Sequence, residues 1–96
     1  MLILNLSPQL EEGLVDYLLT LESVSGFTSY QVRGHGKHQN MSINEQVSGR
    51  RKRLQFEIMM EEAEIGILLA GLRENVGVDI VYWQQVVTNM GEITGN

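Results

Sequence analysis

Residues 53 to 60 alternate without interruption, with Leu54, Phe56, Ile58 and Met60 on one side and Arg53, Gln55, Glu57 and Met59 on the other. A period of two places these sets on opposite faces of a strand, so one face must be covered by another layer. Leu2, Leu4 and Leu6 repeat the pattern against Ile3 and Asn5, and Thr28, Tyr30 and Val32 do so within Phe27 to Arg33. The covering layer is supplied by two segments of helical period. Ser7 and Pro8 make a cap and first position, Glu11, Glu12 and Asp16 suit the helix start, and Leu10, Leu14, Tyr17, Leu18 and Leu21 form a stripe, which predicts a helix over 8–22 ending before Gly26. Glu61, Glu62 and Glu64 open the second helix, its stripe is Ile65, Leu68, Leu69 and Leu72, and Asn75 and Gly77 stop it.

A fourth strand is expected within Val78 to Val87, where β-branched and aromatic residues gather, and the tail from Thr88 to Asn96 reads as loose. The order is β-α-β, long loop, β-α-β. It predicts an α+β, ferredoxin-like βαββαβ sandwich, a four-stranded antiparallel sheet with two helices on one face. At 96 residues the chain suits a single domain, 1–96, with a long loop-like segment at 34–52. Leu2, Leu4, Leu6, Tyr30, Val32, Leu54, Phe56, Ile58 and Met60 are expected to meet the helices. Ile3, Asn5, Gln31, Arg53, Gln55, Glu57 and Met59 are left on the other face, with one of the pairs Ile80/Tyr82 and Val81/Trp83. This mixed face suits self-association.

Charge singles out the connection between strands two and three. Arg33, Lys37, Arg50, Arg51, Lys52 and Arg53 stand against Glu45 alone, a local +5 in a chain of net −5, so the remainder carries −10. Such a segment on an acidic body suits an anionic ligand or partner. Gly34 and Gly36 allow close backbone approach, and Lys37, Arg50, Arg51 and Arg53 supply charge-assisted hydrogen bonds. The chain's histidines, His35 and His38, lie in the same stretch with Met41 and Glu45 nearby, which makes them candidate ligands for a divalent Cu, Ni or Zn ion.

Other chemistries lack their residues. Without cysteine there are no disulfides, thiolate metal sites or cysteine nucleophiles. The expected sheet face lacks the base-stacking aromatics of an RNA-recognition domain. No nucleophile, base and acid follow from spacing, and Asn5-Leu6-Ser7-Pro8 offers no anion-binding cation for acyl-phosphate hydrolysis, so no enzyme is expected. No apolar run approaches the roughly 18 residues of a membrane span, and the first residues lack a basic signal-peptide region, so the expected location is cytoplasmic.

Val32-Arg33-Gly34-His35-Gly36-Lys37-His38-Gln39 and Glu45-Gln46-Val47-Ser48-Gly49-Arg50-Arg51 resemble the two ends of the T-loop of PII-like signalling proteins, and in particular a bacterial PII-like family. The resemblance runs over nearly the whole chain. It implies a non-enzymatic regulator, a homotrimer with ligands in clefts between subunits, and a loop at 34–52 that engages a protein partner. One departure concerns the cofactor. PII proteins that bind ATP or ADP carry glycine and lysine between the second helix and fourth strand, where this chain has Asn75-Val76-Gly77-Val78-Asp79-Ile80 without lysine, which speaks against adenine nucleotide binding in that manner. Divalent-cation tolerance proteins share the architecture, and the alternative implied is heavy-metal tolerance through His35 and His38.

Overall fold

The computed structural model describes residues 1–35 and 51–95. Strand β1 (Leu2–Leu6) leads through one 3-10 turn (Pro8–Leu10) into helix α1 (Glu11–Thr20). Strands β2 (Phe27–Gly34) and β3 (Arg51–Ile58), helix α2 (Glu62–Asn75) and strand β4 (Val81–Gln84) follow. The sheet order is β2-β3-β1-β4, and every pairing is antiparallel. This is the expected ferredoxin-like architecture. The expected first helix divides where Pro8 starts a tight turn, with the Ser7 hydroxyl accepting from the Gln9 N–H at 3.3 Å, and it ends where Leu21 turns extended.

Leu2, Leu4, Leu6, Leu54, Phe56 and Ile58 project from one sheet face into Leu14, Leu18, Ile65, Leu68 and Leu72 of the helices. Burying side chains of this size is worth roughly 1.5–3 kcal/mol each, so this layer holds the fold. The helices also meet through Tyr17, whose hydroxyl donates to the Leu68 carbonyl at 2.8 Å.

The expected placement of Tyr30 and Val32 against the helices is reversed. Tyr30 pairs with Gln55 and Val32 with Arg53, and directly opposed residues share a face, so both lie on the open side. The phase is set by Phe27, which pairs with Ile58 and packs on Phe56 with ring centroids 5.9 Å apart. Since a strand's faces alternate, one aromatic anchor on the core side sends Thr28, Tyr30 and Val32 outward. The strands also extend further than expected, as Gly34 pairs with Arg51 and Arg33 with Lys52. On β4 it is Val81 and Trp83, opposite Asn5 and Ile3, that join the open face.

Candidate functional site

Gly34 and Arg51 form the last pair of the β2–β3 ladder, and Arg53 follows on the open face. Gly34 makes room for them: a side chain there would meet Arg53 Cγ at 3.3 Å and Arg51 Cβ at 3.5 Å. Arg53 is 4% exposed and is the buried charged residue among those described. Its Nε donates to Asn5 Oδ1 at 2.7 Å, and Nη2 donates to the carbonyls of Asn5 at 2.9 Å and Asp79 at 3.0 Å. Its Nη1 reaches Asp79 Oδ2 at 3.3 Å, and Arg51 Nη2 donates to the same oxygen. A buried guanidinium is tolerated because its fork is matched by a carboxylate and carbonyl oxygens.

Asp79 reaches this position through the turn after α2. The N–H groups of Val76 and Gly77 both donate to the Leu72 carbonyl, at 2.8 and 3.0 Å, which closes the helix. Asp79 then takes a φ of 63°, a left-handed conformation that aspartate tolerates better than most residues. Its side chain is still 47% exposed. The hydrogen bond from Arg51 holds its carboxyl below the ordinary value of 3.8, desolvation opposes this, and the charges of Arg51 and Arg53 add to the lowering.

The site continues across the open face as an oriented row. Arg53 donates to Asn5, Asn5 Nδ2 donates to Gln55 Oε1 at 3.3 Å, Gln55 Nε2 donates to the Tyr30 hydroxyl at 2.9 Å, and that hydroxyl donates to Glu57 Oε2 at 2.8 Å. Every donor points the same way, from guanidinium to carboxylate, an arrangement in which neighbouring hydrogen bonds polarise one another. The hydrogen bond to Glu57 raises the Tyr30 pKa above 10.0, with burial adding to the shift and the bond from Gln55 opposing it.

Of the residues singled out in the sequence, Gly34, Arg51 and Arg53 come together here. His35 is exposed just beyond β2. Gly36, Lys37, His38 and Arg50 lie outside the described residues, as does the rest of the stretch 36–50. Among the described residues no group of three or more His, Asp or Glu side chains is placed to hold a metal ion, and no helix is long and apolar enough to cross a membrane. Asp79 and Asn5 join the site without having been singled out by the sequence. Asn5 carries a signal, a lone amide within the apolar run of β1, whereas Asp79 acts only through a backbone turn that has no motif. Chemically, two arginines converging on one half-exposed carboxylate form a cradle for an anionic oxygen, which Asp79 fills from within the chain.

A family model described as "Protein of unknown function (DUF3240)" matches residues 1–94. Among solved structures, a DUF3240 family protein from Shewanella baltica OS155 is 26% identical, with 97% of this chain and 93% of that one covered at a TM-score of 0.79. CutA1 from Pyrococcus horikoshii is similar in fold, at 16% identity, coverage of 96% and 88%, and a TM-score of 0.65. A Thermus thermophilus protein described as PII-like signaling is also similar in fold, at 24% identity, coverage of 85% and 79%, and a TM-score of 0.53. No curated protein matches.

Proposed function

We propose, since the chain belongs to the DUF3240 family and shares its fold with PII-like and CutA1 structures, that it is a non-enzymatic PII-like regulatory protein. It assembles as a homotrimer, binds a small phosphate- or carboxylate-bearing ligand at the root of its long loop, and signals through that loop to a protein partner. The observation that carries this reading is the convergence of Arg51 and Arg53 on the single carboxylate of Asp79. A site that already holds one anionic oxygen, half-exposed and next to the basic loop, suits exchange with an incoming anion. Arg51 and Arg53 bind the ligand oxygens, Gly34 and Gly36 permit close backbone approach, and Lys37 and Arg50 add charge from the loop. Asp79 is the internal counter-ion that the ligand displaces.

Native mass spectrometry with and without inorganic pyrophosphate tests assembly and binding together. The expected spectrum is a trimer that gains pyrophosphate mass. A monomer that gains nothing contradicts both parts of the proposal.

A further inference from the structure

At the end of β3 away from Arg51, a cleft of about 670 Å³ opens between the strand ends, the start of α2 and the tail beyond β4. Met1, Met59, Met60 and Met90 line it, which is every methionine among the described residues. The strand ends hold two of them side by side. Leu2 pairs with Ile58, so Met1 and Met59 each stand one residue beyond that pair. Met1 is tied on its other side to Gln85, its α-ammonium donating to the Gln85 carbonyl at 2.8 Å and its carbonyl accepting from the Gln85 N–H at 2.9 Å.

Met60 packs against the edge of the buried cluster, and none of the four methionines belongs to it. The buried cluster is made of leucine, isoleucine and phenylalanine, while Met1, Met59 and Met60 are only half-buried and Met90 is 64% exposed. Glu61 and Glu62 place two carboxylates on the lining, against the single α-ammonium of Met1. Ser23, Ser25, Gln84 and Gln85 add neutral oxygens to the lining, but it also presents four thioether sulfurs, which a hard cation does not take as ligands. Four thioether sulfurs gathered beside two carboxylates suit a soft, singly charged metal ion.

We infer that this cleft is a thioether site for a soft monovalent cation, Cu(I) or Ag(I). It is separate in space and chemistry from the arginine site and does not depend on it. His35 does not line it.

The test is Ag(I) titration in a chloride-free buffer of the His35→Ala/His38→Ala protein, which removes imidazole binding, followed by native mass spectrometry and the methionine methyl NMR signals. The expected result is one Ag(I) per chain, with the Met59, Met60 and Met90 methyl signals moving together. Met59→Leu/Met60→Leu/Met90→Leu keeps the apolar volume while removing sulfur, and is expected to weaken binding at least about tenfold, since even loss of outer-shell partners costs a metal site that much. Met90→Leu alone, at an exposed position, keeps the test valid if the triple variant fails to fold, and is expected to weaken binding measurably. No uptake by the His35→Ala/His38→Ala protein, methyl signals that stay in place, or undiminished uptake by the folded leucine variants overturns the inference. Pyrophosphate binding by the same variants separates this result from the fate of the arginine site.

Discussion

Arg53 holds Asn5 by two hydrogen bonds, from Nε to the side-chain oxygen at 2.7 Å and from Nη2 to the main-chain carbonyl at 2.9 Å. The two residues come from adjacent strands on the open face, so the guanidinium fastens β3 to β1 beside their regular ladder. Arg53→Ala strands the Asn5 oxygens and removes a partner from Asp79. A loss of about 2–3 kcal/mol is expected, because removing one partner of a buried polar group exposes the other's full desolvation cost. Urea unfolding of the variant against the parent protein checks it, and an unchanged midpoint contradicts the role.

Asp79 makes stability depend on acid. Its folded-state pKa is lowered, first by the Arg51 hydrogen bond, so its contribution is present above the ordinary carboxylate value of 3.8 and disappears as the pH falls through the lower folded value. With the side chain 47% exposed, solvent screening keeps this modest, about 0.5–1 kcal/mol at neutral pH. Asp79→Asn tolerates the same left-handed backbone and removes only the charge. Urea midpoints measured from pH 7 to pH 2.5 are expected to differ between the two proteins at the upper end and to draw closer as the pH falls below 3.8.

At the other end of the row, Glu57 governs Tyr30. Glu57→Gln is expected to bring the Tyr30 pKa back toward 10.0, followed by the tyrosine ring carbon shift in NMR as pH rises. In the parent protein a raised phenol pKa means that this stabilising contribution is present below pH 10.0 and is lost as pH rises through the folded value. An identical Tyr30 titration in both proteins contradicts the oriented row.

Gly71 lies where α2 passes Tyr17. A β-carbon there would collide with the Tyr17 hydroxyl and stand 3.0 Å from its ring carbon Cζ. Gly71→Ala gains about 1 kcal/mol of helix propensity, yet it forces Tyr17 from its hydrogen bond to Leu68, so a net loss of about 1–2 kcal/mol is expected. Thermal unfolding decides the sign. Gly66→Ala, where a β-carbon meets open space, is the matched control and is expected to stabilise.

The fold is readable because its signals are local and repeated. Leu54, Phe56 and Ile58 alternate as a half-covered strand must, and the spacing of Leu14 to Leu18 and of Ile65, Leu68 and Leu72 places those residues on helix faces turned to the sheet. The face assignment of β2 fails because the strand lies at the sheet edge and is mostly exposed, so Tyr30 and Val32 mimic core residues while Phe27 alone sets the phase. Half of the arginine site is legible as a run of bases. Its acidic half is not, because Asp79 is separated from Arg53 by 26 residues and meets it only through a turn with positive φ at Gly77 and Asp79.

The most direct test of the account is isothermal titration with pyrophosphate of the parent protein, Arg50→Ala/Arg51→Ala and Asp79→Asn. Displacement of Asp79 by a ligand anion predicts that binding disappears in the arginine variant, with its fold retained by circular dichroism, and strengthens roughly two- to fivefold in Asp79→Asn, the equivalent of about 0.5–1 kcal/mol of competing interaction removed. Equal affinity in all three proteins contradicts an anion site at Arg51 and Arg53.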